Sequence, residues 1–419
     1  MAKLKDLAKS EFAGHLTTQL MGTGIAQVLP LIISPLLSRL YDESDFALYT
    51  SFFAIATILS AAIGGKYHMA IILPNQEEDA HKLARLSYHF TFFYSLIILL
   101  VTAVFVLVPA TETSWQWLFL AVYVFCNGFY QTTIQASIRL REFRTNAKAK
   151  VIQAGTYALL ALGLGFGGLT NVGLIAGKSI ANLGSFSYLY RISGPKWTKD
   201  RWGNLKSVAL EYINFPKYGI HPSLLNTIST QGLVLTLTYF YSKEELGYFG
   251  LTYMVLAAPM SLIGVSYRDV FMEKIASHIK QKKWQSAKKF FLQSTLLLGA
   301  IGLPIVLVLI FIGPLLFALI FGDNWVISGE YAAQLALAYL VKLIVSPLSS
   351  IFNATNQLRI ASYWQIAYFF TSVLALVGGA VYFKLPIEQL FLLYVVHELI
   401  LYAFYYTLEW RTIQRLQYE

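Results

Sequence analysis

Six ionisable residues lie inside or at the edges of long apolar stretches of the sequence: Arg39, Lys66, His68, Arg268, Lys342 and Glu398. A cationic side chain among apolar residues either binds an anionic group such as a phosphate or pairs with a neighbouring carboxylate. A buried charge without any partner is strongly unfavourable. These residue types therefore predict an anion-binding site, buried ion pairs, or both.

Motifs for catalysis are missing from the sequence. There is no G-x-x-x-x-G-K-[ST] loop, no H-E-x-x-H pair and no G-x-S-x-G turn. The one cysteine, Cys126, gives neither a disulfide framework nor a cysteine-based metal site. We therefore expect a protein that is not an enzyme and that needs no cofactor and no metal.

The composition determines which elements position the six residues. Of 419 residues, 56% are hydrophobic and 13% are charged, whereas a soluble domain has about 25% charged residues. So few charges would not cover the surface of a soluble fold of this length, which excludes that class. The sequence predicts an all-α polytopic membrane protein with about 12 transmembrane helices.

The predicted spans are apolar runs of roughly the 20 residues that one crossing needs. They cover residues 16–38, 46–73, 87–108, 115–137, 151–169, 172–190, 216–240, 246–267, 290–321, 331–352, 361–383 and 387–408. The run 290–321 is long enough for two crossings, with Pro304, Gly313 and Pro314 as break points.

The basic residues are distributed unevenly between the loops. Most of the 32 Lys and Arg residues fall in the two termini and in every second loop, and cytoplasmic loops are enriched in these residues. We therefore expect a multi-pass membrane protein with both termini in the cytoplasm. This topology also explains the net charge of +10, and no nucleic-acid partner is expected because no matching fold accompanies the basic stretches.

The longest polar stretch, residues 191–215, divides the chain into two sets of six spans. We expect an N-terminal lobe at 1–190, a cytoplasmic interfacial linker at 191–215 and a C-terminal lobe at 216–419. Residues 40–52 align weakly with 240–252, and 64–69 with 264–269, both at an offset of 200 residues. Parallel repeats of this kind occur in transporters, so we expect the two lobes to surround a central cavity.

Four segments carry a family resemblance: GTGIAQVLPLIISPLLSRLYDESDFALYTSFFAI, IRLREFRTNAKAKVIQA, LGYFGLTYMVLAAPMSLIGVSYRDVFMEKIA and LIFGDNWVISGEYAAQLALAYLVKLIVSPLSSIFNATNQ. They resemble the polysaccharide-repeat (O-antigen type, Wzx-like) flippases of the multidrug/oligosaccharidyl-lipid/polysaccharide exporter superfamily. The resemblance implies that an undecaprenyl-diphosphate-linked oligosaccharide, an O-antigen or capsule repeat unit, crosses the bacterial inner membrane by alternating access. The expected partners are that lipid-linked oligosaccharide, membrane lipids and, as further candidates, polysaccharide polymerase or assembly proteins.

Lys342 and Glu398 each lie about 11 residues into a predicted span, which is roughly 17 Å at 1.5 Å per residue. Both are thus near the middle of the bilayer. Lys342 is a candidate for binding the diphosphate, and Glu398 for ion coupling. The alternative is an ion pair between Lys342 and Glu398 that holds the C-terminal lobe together.

The other candidates lie closer to the membrane surfaces. Lys66, His68 and Arg268 are near the inner surface, where they form a candidate entrance for the diphosphate. The alternative for the cations is that they extend to the lipid headgroups. Arg39, at the outer end of the first span, is a candidate exit residue, with an interfacial anchor or a pair with Asp42 as the alternative. Lys178 is expected to extend to the headgroups.

Three other function classes are alternatives to the flippase. An ion-coupled multidrug exporter of the same superfamily is disfavoured because the first six spans place no Asp or Glu at mid-depth, although Glu398 leaves coupling open. A polysaccharide polymerase or ligase is disfavoured because every outer loop is about a dozen residues or shorter, too short to build a site. A non-transporting membrane assembly protein is the third class.

Overall fold

The computed structural model describes residues 24–108, 114–195 and 202–415, and within those ranges the chain contains helices and no β-strand. The α-helices are α1 Gly24–Leu40, α2 Glu43–Ser60, α3 Glu77–Leu107, α4 Phe119–Arg139, α5 Phe143–Phe166, α6 Thr170–Ser193, α7 Trp202–Glu211, α8 Asn214–Thr230, α9 Gly232–Phe240, α10 Lys243–Pro259, α11 Val265–Lys280, α12 Trp284–Phe321, α13 Val326–Leu348, α14 Ile351–Ala354, α15 Leu358–Val377 and α16 Ile387–Arg415. A bent 3₁₀ turn lies at Ile63–Ala70, and short π-helical segments lie at Met260–Gly264 and Gly378–Tyr382. The predicted all-α class is confirmed.

Seven of the described helical segments are long and apolar enough to cross a membrane, or eight if α2 and the bent turn Ile63–Ala70 form one span. They are α3, α5, α10–α11, α12, α13–α14, α15 and α16. The remaining predicted spans coincide with α1, α4, α6 and α8–α9, which are shorter or more polar. Residues 16–23 of the first predicted span and 196–201 of the predicted linker lie outside the described residues.

The run 290–321 forms part of a single helix and does not break into two crossings. α12 continues through Pro304 and Pro314 to Phe321. At 1.5 Å per residue its 38 residues extend for roughly 57 Å, well beyond the ~30 Å hydrocarbon core of a bilayer. Leu296, Phe311 and Leu319 on α12 are more than 70% exposed, as expected for side chains that face lipid.

The described residues divide into two compact units. The first comprises residues 24–33 and 51–227, and the second comprises 34–50 and 228–415. In the first unit α6 packs against α4 and α5, and α3 packs against α4. In the second unit α13 packs against α10, α12 and α16. The predicted lobes 1–190 and 216–419 have different boundaries from these units, because residues 34–50 pack with the second unit and 216–227 with the first.

The offset of 200 residues recurs in the structure as matching helix starts. α2 begins at Glu43 and α10 at Lys243. Ahead of α2, Asp42 Oδ1 accepts a hydrogen bond from the Asp45 backbone N–H at 2.9 Å, and Asp45 Oδ2 accepts one from the Asp42 N–H at 3.3 Å. Ser242 and Glu245 form the same reciprocal cap before α10. Partial burial raises the pKa of Asp42, but the hydrogen bonds from Asp45 and Ser44 outweigh burial and lower it.

These two equivalent helices touch inside the second unit. An added Cβ on Gly247 of α10 would lie 2.0 Å from the carbonyl oxygen of Glu43, and one on Gly250 would lie 2.2 Å from Thr50 Oγ1. Only glycine permits so close an approach of the two backbones. Near the contact, Trp325 Nε1 donates a 3.0 Å hydrogen bond to the carbonyl of Ser38.

Gly247→Ala is expected to destabilise the protein by about 1–3 kcal/mol, because the added methyl group overpacks a contact made by rigid backbone. The measurement is the apparent melting temperature of the purified protein in detergent. Gly299→Ala is the matched control, since its Cβ would meet only the Ile344 side chain at 3.8 Å. Equal melting temperatures for the two variants would contradict the close contact.

Candidate functional site

The mid-membrane lysine of the second unit forms an ion pair. Lys342 on α13 places its Nζ 3.2 Å from Glu398 Oε2 on α16. The Glu398 side chain is fully buried, and that of Lys342 is 15% exposed. The pairing that the equal depths of the two residues suggested is therefore formed. Because an opposite charge already neutralises Lys342, its capacity to bind a further anion is reduced.

Tyrosines complete the surroundings of this pair. Lys342 Nζ donates a hydrogen bond to the Tyr394 hydroxyl. Glu398 Oε2 has no hydrogen-bond partner, and the opposite charge of Lys342 attracts it. Tyr368 donates to Glu398 Oε1 at 2.8 Å, and His397 Nδ1 lies 3.8 Å from the same oxygen. The ammonium also lies 4.9 Å from the Tyr394 ring centroid and 5.9 Å from that of Tyr402. The Lys342 ammonium therefore contacts a carboxylate, a hydroxyl and aromatic rings, all from the second unit.

In the first unit, Lys66 is positioned by a sharp break after α2. The axis bends by 52° between α2 and the turn Ile63–Ala70. Gly64, Gly65 and Lys66 all have positive φ values, of 58°, 55° and 60°. The positive φ at position 64 favours glycine. A side chain would also find no room there, since a Cβ would lie 2.2 Å from Ser87 Oγ.

The break directs Lys66 toward α8. Its Nζ donates a 2.9 Å hydrogen bond to Ser223 Oγ, and the described residues give it no carboxylate partner. His68 is buried on the same turn, and its Nδ1 has no hydrogen-bond partner in the described ranges. Lys66 and His68 therefore lie on one turn as a half-buried cation beside a buried imidazole, and their role as a diphosphate entrance stays a prediction.

The two arginine candidates are exposed on the second unit. Arg268 on α11 forms a 3.4 Å contact with its neighbour Asp269, and both side chains are more than half exposed. Such an exposed ion pair contributes about 0–1 kcal/mol to the stability of the fold. Arg39 is also exposed, and the alternative pair with Asp42 is not formed, because the Asp42 carboxylate caps α2.

Lys178 on α6 lies between aromatic rings of two other helices. It was expected to extend to the headgroups, but its Nζ lies 5.0 Å from the ring centroid of Phe53 on α2 and 5.4 Å from that of Tyr157 on α5. The half-buried ammonium is thus stabilised by two aromatic faces. No carboxylate pairs with it among the residues that the structure describes.

Hydroxyl pairs connect α3 and α4 in the first unit. Ser87 Oγ lies 2.8 Å from Thr132 Oγ1, and the Tyr88 hydroxyl lies 2.7 Å from Thr133 Oγ1. Asn127 Nδ2 donates to Ser60 Oγ of α2 at 3.1 Å. These groups satisfy one another between helices, which is the usual role of polar side chains in a membrane interior.

A second interior carboxyl was missed from the sequence. Glu409 on α16 is fully buried, and neither of its oxygens has a hydrogen-bond partner. It lies one residue beyond the predicted end of the last span. Across the ranges 24–108, 114–195 and 202–415, no three His, Cys, Asp or Glu residues are placed to hold a metal ion.

Residues 36–329 match the model of the family described as "Polysaccharide biosynthesis protein". The teichuronic acid biosynthesis protein TuaB of Bacillus subtilis (strain 168) is 20% identical over 157 residues, which are 37% of this chain and 32% of TuaB. The aligned region therefore spans about a third of that relative.

Solved structures of MOP-superfamily transporters share the fold. An inward-facing multidrug resistance MATE family transporter gives a TM-score of 0.68 at 14% identity, covering 96% of this chain and 95% of the other. A MOP superfamily transporter from Pyrococcus furiosus gives 0.62 at 13% identity, covering 96% of each chain. A mutant of the Vibrio cholerae MATE transporter VcmN gives 0.59 at 16% identity, covering both chains fully.

Proposed function

The chain belongs to the polysaccharide biosynthesis protein family, and we propose that it is a flippase that moves a lipid-linked oligosaccharide across the bacterial inner membrane by alternating access. The cargo is a glycan repeat unit, of O-antigen or capsule type, joined through a diphosphate to a polyprenyl lipid. Both termini lie in the cytoplasm in this proposal. The protein contacts membrane lipids, and polysaccharide polymerase or assembly proteins are further candidate partners.

The observation that carries the proposal is the pair of half-buried lysines in the first unit, Lys66 and Lys178. Neither has a carboxylate partner among the described residues, so no carboxylate of these ranges competes with a phosphate for either ammonium. A diphosphate crossing hydrocarbon needs such charges, because transfer of an unpaired anion into an apolar medium is strongly unfavourable. The polyprenyl tail needs no protein site, since it remains in the bilayer.

The aromatic setting of Lys178 suits a transient anion contact. Phe53 and Tyr157 stabilise the ammonium through their ring faces, which leaves its N–H donors free for phosphate oxygens. A carboxylate partner would have to be displaced before a phosphate bound. We therefore rank Lys178 first among the diphosphate ligands, with Lys66 second and His68 beside it.

The remaining candidates receive different roles. Lys342, already paired with Glu398, is better supported as a link between α13 and α16, and its contact with substrate stays a prediction. Arg268 and Arg39 are exposed. Arg268 is proposed to meet the diphosphate at entry, and Arg39 at exit.

A multidrug exporter is the second candidate, and the fold favours it, because the solved transporter with TM-score 0.68 is of the multidrug resistance type. The two functions differ in cargo charge. Unpaired interior cations attract an anionic cargo and repel a cationic drug, so Lys66 and Lys178 favour the lipid-linked oligosaccharide.

The test is depletion of the protein in its native cells, followed by measurement of lipid-linked oligosaccharide on each leaflet and of drug susceptibility. A flippase predicts accumulation on the inner leaflet and unchanged susceptibility. Increased susceptibility with a normal distribution of the glycan would instead support the exporter.

A further inference from the structure

The helix α8 belongs to both units along the chain and is loosely packed. Residues 214–227 are part of the first unit and 228–230 of the second. Of its 17 residues, only Ser229 is buried. Pro222, inside the helix, also removes one N–H donor from the intrahelical hydrogen bonds. A helix with so few buried side chains opens at a low free-energy cost, so each contact that holds α8 matters.

One such contact comes from Lys66 on the turn Ile63–Ala70. Lys66 Nζ donates a 2.9 Å hydrogen bond to Ser223 Oγ. The stem of the lysine passes next to the bare backbone of Gly219, since a Cβ added there would lie 3.5 Å from Lys66 Cγ. Gly219 and Ser223 are four residues apart and therefore lie on one face of α8. We call this contact of Lys66 with Gly219 and Ser223 the clasp.

The backbone of Lys66 needs support from its surroundings. Its φ of 60° is in the left-handed region, which is disfavoured for a residue with a side chain and persists only where other contacts hold it. Next to Lys66, the Tyr67 hydroxyl donates a 3.2 Å hydrogen bond to the carbonyl of Ala209 on α7. The turn therefore contacts α7 through Tyr67 and α8 through Lys66.

The Ser223 hydroxyl is a weaker acceptor for Lys66 than a phosphate oxygen would be. In the bond between Lys66 and Ser223 only the donor is ionised. In a bond between an ammonium and a phosphate both partners are ionised, and the attraction between opposite charges adds to the hydrogen bond. A phosphate oxygen that reaches Lys66 is therefore expected to displace Ser223 Oγ.

We propose that Ser223 Oγ and a phosphate oxygen compete for Lys66, and that a bound diphosphate opens the clasp and frees α8. Because the last residues of α8 belong to the second unit, the freed helix lets that unit respond to the cargo. Ser223 is a positioning residue, since it acts through Lys66. The opening rests on the proposed role of Lys66 as a diphosphate ligand, whereas the clasp itself does not.

The clasp is tested by hydrogen exchange and mass spectrometry of the purified protein in detergent, without added ligand. Ser223→Ala removes the acceptor, so the amides of α8 are expected to exchange about tenfold faster than in the wild type, the size expected for a hydrogen bond to a charged group. Ser223→Thr keeps the hydroxyl and is expected to exchange like the wild type. So is the control Asn226→Ala, which alters an exposed residue of the same helix. Equal exchange in Ser223→Ala and the wild type would overturn the clasp.

The opening is tested by adding undecaprenyl diphosphate, with undecaprenol, which lacks phosphate, as the control ligand. Undecaprenyl diphosphate is expected to raise the exchange of α8 in the wild type to the level of Ser223→Ala, and undecaprenol is expected to leave it unchanged. Ser223→Ala is also expected to bind undecaprenyl diphosphate about tenfold more tightly, because no hydroxyl competes for Lys66.

Two results would overturn the opening. Weaker binding by Ser223→Ala would make Ser223 a phosphate ligand or a merely structural residue, and unchanged exchange in the diphosphate-bound wild type would mean that α8 is not freed. The proposed function is judged separately, in proteoliposomes of phosphatidylethanolamine and phosphatidylglycerol. If the diphosphate frees α8 but the wild type flips no oligosaccharide, the opening stands and the flippase function fails. If the wild type flips it while α8 stays protected, the function stands and the opening fails.

Discussion

Lys178→Glu is expected to abolish appearance of the lipid-linked oligosaccharide in the outer leaflet, because the substitution places a negative charge where the diphosphate binds. Contacts to charged groups contribute about 1.5–3 kcal/mol, so the neutral Lys178→Met is expected to lower the flipping rate by about tenfold to hundredfold at 1.4 kcal/mol per tenfold. Lys178→Arg keeps the cation above Phe53 and Tyr157 and is expected to retain most of the activity. The measurement is the initial rate at matched protein levels.

Lys243 provides the control for these substitutions, since it is an exposed lysine at the start of α10. Lys243→Glu is expected to transport normally. If Lys178→Glu also transports normally, Lys178 does not bind the diphosphate. If Lys178→Arg is as inactive as Lys178→Glu, the role of Lys178 is steric and not electrostatic.

Breaking the Lys342–Glu398 pair is expected to have the largest effect on stability. Lys342→Met leaves Glu398 buried without its cation, and Glu398→Gln leaves Lys342 without its anion. Removal of one partner of a buried pair costs about 3–5 kcal/mol. The double variant buries no unpaired charge, so it is expected to be more stable than either single variant.

The apparent melting temperature in detergent, measured for all four proteins, completes this double-mutant cycle. Strictly additive losses would mean that the two charges do not interact. The cycle also separates structure from transport. A double variant that is stable and still flips the oligosaccharide would remove Lys342 from the list of substrate ligands.

Much of the fold follows from the hydrophobic pattern, because a helix must hide its backbone polar groups wherever it contacts lipid. The offset of 200 residues also predicted equivalent helices, and the caps at Asp42 and Ser242 agree with it. The possible break in α12 did not occur. Its prolines remove N–H donors, but packing along α13 keeps the helix continuous.

The site was only partly predictable. Lys342 and Glu398 were matched because depth within a span can be read from the sequence. Lys178 was expected at the headgroups, whereas its ammonium lies over aromatic rings of α2 and α5. The sequence could not predict this, because spacing along one helix does not reveal contacts with other helices. The orientation of Lys66 depends on three consecutive positive φ values, for which the sequence offers only Gly64 and Gly65 as a signal.

The most direct test of the flippase proposal uses proteoliposomes that contain purified protein and fluorescent undecaprenyl-diphosphate oligosaccharide, with an impermeant quencher outside. Flipping by the wild type is expected to expose nearly all of the label to the quencher. Lys178→Glu is expected to leave about half protected, as in protein-free vesicles, where only the outer leaflet is accessible. Equal protection in wild-type and protein-free vesicles would contradict the account.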